Sequence, residues 1–445
     1  MKRRAQALVA VAVFLSVPLV ARAGNGDGIL VGNRAAMTGG AVVATVDDGS
    51  ATYYNPAGLA NIKEHQFDLS ASVYALRFYH ESAFLHTVGG ASRDASVTEF
   101  VTAPTAITYV RQLADDVSLG LGYFLPQTEN FLLRESLSAS ESGLDSTWTF
   151  DARSSTAEYW FSGGLGFHLA PNVRFGVAVH AIYAQETLSS SLLGSVAQGG
   201  LVEKVIQSSS FSTSTRFSAE IGLGLQVDLT DALVVGVSVR SPRLALYESD
   251  DESTTGVVGA SNGLVTGLGA FTDRPTSSSA SFGFEALGRY NAGLSYAAGL
   301  ATLSAEFDLQ PGYTSRGLEV DTSFTWNARA GCMLDFDPAL AIGVGAFTDR
   351  GPETVRPGDP LVTRTHFYGG TAGVEVRDIL RLLGDTSEER LTLSTVFAFR
   401  YAYGSGIAAA FEVSPAAPVD GLIGVSRSDL TIHEFSLHVG SSIRF

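Results

Sequence analysis

The chain has 445 residues, 45% of them hydrophobic and 17% charged, with a formal charge of −16, 48 glycines, 14 prolines and one cysteine. The acidity argues against a nucleic-acid partner, and a single cysteine excludes an intramolecular disulfide and the cysteine-rich zinc sites. Glycine costs roughly 1 kcal/mol in a helix interior, so this load argues against a helical protein and for a β-protein with many small, closely packed inward positions.

Residues 1–23, MKRRAQALVAVAVFLSVPLVARA, read as a signal peptide. Lys2, Arg3 and Arg4 make the positive start, Ala5 to Val20 the apolar stretch, and Ala21-Arg22-Ala23 a small-residue cleavage site. Cleavage is expected after Ala23. The short apolar stretch disfavours an uncleaved anchor. After it, no run approaches the ~18 apolar residues that a membrane helix needs.

Residues 24–66 contain GNRAAMTGGAVVATVDDGSATYYNPAGLA, too rich in small residues for a strand. Glycine and alanine let a backbone pack tightly in a confined space. Asn55-Pro56 fixes a turn, because proline sets its own φ and disfavours a helical conformation at the residue before it. Ala57 and Gly58 let the chain relax straight after. Two readings stand at this point: a segment confined inside a larger structure, or a periplasmic leader whose turn starts the first strand.

From Phe67 onward the pattern is alternation. In RFSAEIGLGLQVDL, Phe217, Ala219, Ile221, Leu223, Leu225, Val227 and Leu229 share one face, and Arg216, Ser218, Glu220, Gly222, Gly224, Gln226 and Asp228 the other. The last segment repeats it, with Phe435, Leu437, Val439, Ile443 and Phe445 opposite Glu434, Ser436, His438 and Arg444. Cys332 fits as a small apolar strand residue.

About fourteen strands are expected, near 67–80, 102–113, 117–126, 153–169, 172–188, 213–229, 232–247, 281–297, 300–310, 322–336, 339–349, 364–377, 389–403 and 432–445. Short turns (114–116, 170–171, 230–231, 337–338) alternate with long polar loops such as 248–280 and 404–431; 378–388 reads as a longer turn, with helical character. Such strands exceed the usual ~5–6 residues, and ~9–11 suffice to cross a bilayer. Long strands, an even count and alternating connections point to an all-β fold, a closed outer-membrane barrel. A soluble sandwich or propeller is the rival, without the expected blade repeat.

The N-terminal stretch resembles the plug of the FadL family of outer-membrane transporters for long-chain fatty acids and hydrocarbons. The resemblance rests on the glycine-rich approach, on Ala41 to Asp48 and above all on Asn55-Pro56-Ala57-Gly58, ahead of the first of fourteen strands. It implies a hatch at 24–66 inside a barrel at 67–445. It also implies a hydrophobic ligand that lodges outside, moves to a pocket against the hatch and leaves sideways where the third strand is kinked. Gly120, Gly122 and Pro126 are the candidates for that kink; the alternative for the glycines is small lumen-facing residues beside the hatch.

A fatty-acid carboxylate would want a lumen cation, and alternation nominates Arg174, Arg216, Arg240, Arg400 and Arg444, most of them expected to pair with lumen carboxylates such as Glu220. The loop TENFLLRESL offers Phe131, Leu132, Leu133 and Leu137 as an exposed patch for ligand capture, unless it folds over its own leucines. Asp47 and Asp48 are expected to anchor the hatch to lumen arginines.

No enzyme motif stands out: the GxG pairs at 120–122 and 222–224 lie inside strands, and no HExxH, GxSxG or Walker pattern occurs. No cofactor or metal is expected. The expected protein is a monomer in the outer membrane, its partners a hydrophobic small molecule, membrane lipid and the barrel-assembly machinery, which would read the terminal Phe445. The alternatives are an aromatic-hydrocarbon channel of the same design, a structural or adhesin-like barrel, and a lipid hydrolase with a triad drawn from separate strands.

Overall fold

The computed structural model describes residues 29–261, 265–272, 276–280, 283–315, 320–355, 363–377, 391–417 and 422–445. The expected signal peptide and the turn expected at 378–388 lie outside them.

The strands are β1 (Gln66–Thr87), β2 (Ser92–Ala114), β3 (Val117–Glu141), β4 (Leu144–Ala170), β5 (Val173–Gln198), β6 (Leu201–Asp228), β7 (Leu233–Arg240), β8 (Arg243–Ser261), β9 (Val265–Thr272), β10 (Thr276–Ala280), β11 (Gly283–Ala286) and β12 (Arg289–Ala298). They continue with β13 (Ala301–Gln310), β14 (Tyr313–Ser315), β15 (Val320–Thr322), β16 (Thr325–Asp337), β17 (Leu340–Arg350), β18 (Arg364–Val376), β19 (Thr392–Val413) and β20 (Ile423–Arg444). Each pairs antiparallel with its neighbour, and β1 pairs with β20 from Gln66↔Arg444 to Glu81↔Leu430, which closes the sheet.

β7 and β8 both lie along β6 and form one span, broken at Ser241-Pro242; β9 to β12 lie along β7 and β8 as the next. With β14 and β15 forming a separate small hairpin, the wall has fourteen spans among the described residues.

The alternation sorts as expected. Phe217, Ile221, Leu223 and Leu225 of β6 are exposed on the outside, whereas Ser218, Glu220 and Gln226 are buried inside. Phe435 and Leu437 of β20 face out, and Glu434 and His438 in. An apolar exterior with a polar interior is the solvent-inverted arrangement that lipid demands. Closure of β1 on β20 leaves neither terminal strand with a free edge along that seam. At the final residue, Phe445 and His65 exchange both backbone hydrogen bonds.

The expected long loops are largely strand. Segment 248–280 consists mainly of β8, β9 and β10, and 404–431 of the tips of β19 and β20. Above the apolar belt serines enter both faces, as in SSSLLGS and SSSFSTST, so the hydrophobic alternation fades while the backbone ladder continues. Two of the outer turns are as tight as turns can be. Ser142-Gly143 (φ 53° and 77°) and Gly199-Gly200 (φ 54° and 84°) both have the paired positive φ of two-residue hairpins.

The outer mouth is covered. Beyond Ile407 the edge of β19 is released by β18, and the tip of β1 crosses to pair with it in parallel, Leu85↔Phe411 to Thr87↔Val413. On the far side Lys204 of β6 donates to the carbonyls of Pro415 (2.9 Å) and Ala417 (2.6 Å). Beneath this roof Phe84, Phe150 and Phe411 meet at 5.0–5.6 Å between ring centres, in a buried cluster with Trp148, Leu133 and Leu137.

Residues 29–62 fold within the ring of strands as α1 (Asn33–Met37), α2 (Ala51–Tyr54) and a 3-10 turn, Pro56–Asn61. Nearly all of this segment is buried. Leu30, Val31, Val42, Val46, Tyr53, Tyr54 and Leu59 form one cluster with Val110, Phe124, Trp160 and Ile182 of the wall.

Candidate functional site

Among the described residues the backbone ladder has a long interruption between β2 and β3. β2 pairs with β3 only from Ala114↔Val117 to Ala106↔Phe124, although β1–β2 and β3–β4 continue to the strand tips. Above that level β2 and β3 exchange no described backbone bonds. Each lip carries a proline: Pro104 on β2 beside a register shift, and Pro126 on β3 between Phe124↔Trp160 and Gln127↔Glu158, where the register shifts again. Proline offers no N–H, so a ladder cannot run through it.

Of the three kink candidates, Pro126 lies at a register shift and Gly120 and Gly122 do not. Both lie in the regular ladder below it. A Cβ on Gly120 would come within 2.6 Å of Thr52 and 2.7 Å of Leu59, and one on Gly122 within 2.4 Å of Phe124. They are small because the inner segment and its aromatic neighbour press against them.

Side chains span the interruption. Glu99 of β2 accepts from the backbone N–H of Asn130 on β3, and Glu135 of β3 pairs with Arg93 at 2.8 Å. Behind them Arg77 reaches Glu99, Glu129 and Glu434, and Arg400 pairs with Glu434. All five are almost fully buried, and removing one partner from such a group leaves an uncompensated charge.

Directly inside the lips lies a small apolar cavity of about 30 Å³, lined by Ala95 and Val97 of β2, Phe131 and Leu133 of β3, and Phe84 and Phe150. Its charged lining residue is a carboxylate, Glu81. One water needs ~10–15 Å³ on this measure, so a larger guest must part the cluster. The capture patch is thus corrected. Residues 128–137 are strand, with Leu133 and Leu137 buried, Phe131 packed against them and only Leu132 turned out, 67% exposed. The physical reason is the alternation Phe131, Leu133, Leu137, which places three of the four on the inner face.

A second cavity, of about 260 Å³, lies between this layer and the inner segment and is polar. Tyr53 and Trp160 form part of its lining, with Arg216, Arg240, Glu158, Glu220, Arg289, Asp308 and Arg350. The nominated arginines do face inward, and carboxylates engage four of them. Arg174 pairs with Asp228 and donates to Asn61 at 2.9 Å; Arg216 pairs with Glu248; Arg240 lies 3.6 Å from Glu220; Arg400 pairs with Glu434. Arg444 lines a cavity at the inner end beside Arg34 and Asp47. Arg350 was not nominated. Its guanidinium stacks 3.9 Å above the ring of Trp326 and joins the lining of this cavity. Trp326 two positions after Phe324 gave no sign of this in the sequence, since the partner comes from the next strand.

The inner segment is held by the wall in a direction opposite to that expected. Asp47 pairs with Arg34 of its own segment (2.9 Å), and Asp48 accepts from Ser50; among the described residues neither forms an ion pair with a wall arginine. Instead wall side chains grip its backbone. Glu306 accepts from Val42 N–H and Val43 N–H, both at 2.9 Å, Asp68 from Gly49 N–H at 3.0 Å, and Arg240 donates to Tyr53 O at 2.6 Å. A segment of Gly and Ala has few side chains to offer, so its exposed N–H and C=O groups take that role.

The Asn-Pro-Ala-Gly turn is the exception. The Asn55 amide donates to Val43 O (2.7 Å) and Leu225 O (3.3 Å), while its oxygen accepts from Ala57 N–H (3.1 Å) and caps the 3-10 turn that Pro56 begins. Gly58 is required by Val46, whose carbonyl oxygen would lie 2.3 Å from a Cβ.

A serine–histidine pair does occur, with Ser162 Oγ 2.7 Å from His180 Nδ1, but among the described residues no carboxylate is hydrogen-bonded to that imidazole. Trp160 packs on it at 5.2 Å. The hydrolase alternative gains no triad from it.

Residues 30–296 match the model of a family described as outer membrane protein transport protein (OMPP1/FadL/TodX). Comparison with curated protein sequences returned no match. Among solved structures, the fold is similar to that of a Pseudomonas aeruginosa FadL homologue, at 11% identity and a TM-score of 0.61 over 93% of this chain and 98% of that one. It is likewise similar to the P. putida toluene transporter TodX (14% identity, TM-score 0.54, 94% and 99%) and the Ralstonia pickettii toluene transporter TbuX (15%, 0.51, 95% and 99%).

Proposed function

Because the chain belongs to the outer membrane protein transport family (OMPP1/FadL/TodX), we propose that it admits hydrophobic small molecules through the outer membrane by a lateral route, with residues 24–66 acting as a hatch. The observation that carries this reading is the β2–β3 interruption with the apolar cavity directly behind it. A guest adsorbs to the outer half, parts the aromatic cluster and leaves between the two lips into lipid, without crossing the polar belt below. The hatch meanwhile denies water-soluble solutes a path. The protein needs no cofactor for this and works as a monomer.

The substrate class favoured by the geometry is a neutral apolar molecule such as an aromatic hydrocarbon. The apolar cavity offers Glu81 and no cation, and the arginines flanking the route are already held by carboxylates. Glu81, half-buried and hydrogen-bonded by Ser428, gives an anion no positive charge to meet there. One observation favours the long-chain fatty acid expected from the resemblance: Arg350, stacked on Trp326, brings a cation to the lining of the polar cavity.

Uptake of labelled toluene and labelled oleate by outer-membrane-bearing cells lacking their own transporter tests both. Protein-dependent toluene uptake supports the first. Oleate uptake that falls on Arg350→Gln supports the second. Neither, with the barrel assembled, removes the transport reading.

A further inference from the structure

The grip on Val42 and Val43 is connected to the polar cavity by an unbroken line of alternating charges. Glu306 of β13 is 4% exposed; one of its oxygens accepts from both hatch N–H groups, and the other accepts from Arg329 of β16 at 2.9 Å. Arg329 also holds Asp308 at 2.8 Å, and Asp308 holds Arg289 at 2.9 Å. Asp308 and Arg289 line the cavity; Glu306 does not. On the hatch side the Val43 carbonyl accepts from Asn55 and Gln226, so Val43 is held through both its backbone polar groups. Val43 also packs where Gly236 and Gly293 leave no room for a side chain.

We propose that Glu306 is the bolt of the hatch, and that Arg289, Asp308 and Arg329 transmit to it whether the cavity is occupied. The inference rests on residues 24–66 acting as a hatch, and goes beyond it in naming what releases it. Hydrogen bonds from N–H to a carboxylate are charge-assisted, and their strength depends on where the carboxylate's charge is directed. While Arg329 is shared between Glu306 and Asp308, Glu306 is oriented toward the hatch with its other oxygen satisfied. A guest that draws Arg289 into the cavity leaves Asp308 short of a cation. Arg329 then swings toward Asp308, and Glu306, with its compensating charge weakened in a buried site, reorients or takes up water. The grip on Val42 and Val43 is lost without any contact between guest and hatch.

The test is a labelling rate, independent of any substrate. In a Cys332→Ser background, Val42→Cys places one thiol behind the bolt, and the barrel is reconstituted in phosphatidylcholine vesicles and exposed to a charged maleimide. Glu306→Gln and Arg289→Gln should each raise the labelling rate, the former by about tenfold or more, as expected when two hydrogen bonds to a carboxylate become bonds to a neutral amide. Arg289→Lys, which keeps the cation, should restore a rate near the parent's.

Heat-modifiable migration on a gel confirms that each barrel is folded. A parent-like rate for Glu306→Gln overturns the bolt; a parent-like rate for Arg289→Gln overturns the line to the cavity. If the protein fails to take up hydrophobic compounds but these rates change as stated, the transport reading falls and this one stands.

Discussion

Glu99 of β2 accepts a hydrogen bond from the backbone N–H of Asn130 of β3, at a level where the two strands exchange no backbone bonds of their own. A side chain thus stands in for the ladder, and the same carboxylate faces Arg77 and accepts from Tyr79 at 2.8 Å. The wall is sealed here by groups that can part without unzipping a sheet.

Glu99→Ala removes the acceptor from Asn130 and one of the three carboxylates around Arg77. The expected cost is about 2–3 kcal/mol, the penalty for leaving buried polar groups unpaired. Urea titration of the barrel in lipid vesicles, followed by tryptophan fluorescence, measures it. Glu99→Gln keeps an oxygen facing Asn130 and should cost less than Glu99→Ala. An equal cost for the two would mean that the Asn130 bond contributes nothing.

Asn55→Ala deletes two donated bonds and one cap in a fully buried position. At roughly 1 kcal/mol net for each, about 3 kcal/mol of local hatch stability should be lost. Hydrogen exchange at residues 43–57 should accelerate while exchange in the wall stays unchanged. Uniform acceleration across both would contradict a hatch held separately from its barrel.

A Cβ on Gly176 would lie 2.1 Å from the carbonyl carbon of Pro56, a backbone atom that no rotamer change can move. Gly176→Val should therefore expel the 3-10 turn while leaving β5 able to pair. Single-channel recording in planar bilayers should find an ion-conducting pore, as should deletion of residues 29–62. Conductance as low as the parent's in both would show that the segment does not plug the lumen.

Burial pushes the Asp48 carboxyl up to about 7, with the nearby charge of Asp68 acting in the same direction and the hydrogen bonds from Ser50 opposing it. A carboxyl raised in the folded state binds its proton more tightly there than in the unfolded chain. Its contribution to hatch stability is complete near pH 4 and is lost as pH rises toward 7. Amide protection at residues 47–50, measured in that interval and referred to intrinsic exchange rates, should fall with rising pH, and Asp48→Asn should flatten the trend.

Much of the barrel could be read from alternation, because lipid outside and polar groups inside impose opposite faces on every span. Phe217 to Leu225 and Phe435 to Leu437 were assigned to the correct side on that basis. The reading failed where lipid ends. Residues 189–198 and 201–212 carry serines on both faces among their apolar residues, so the alternation is blurred there, while each strand keeps its ladder to a neighbour that no single segment records. Pro126 was legible as a break, whereas Pro104 became meaningful once it stood opposite the free stretch of β3.

The Asn-Pro-Ala-Gly turn was legible because it caps and bends its own chain. Glu306, 264 residues from Val42, was not, since nothing local distinguishes it from another lumen carboxylate. Asp47 and Asp48 were visible acids in the right segment, and they turned out to satisfy that segment rather than to tie it to the wall.

The most direct measurement is uptake of labelled toluene and oleate by cells carrying the parent protein, with the Glu99→Ala and Arg350→Gln variants alongside. The account predicts protein-dependent toluene uptake that responds to Glu99→Ala and ignores Arg350→Gln. Assembled barrels that take up neither compound would contradict it.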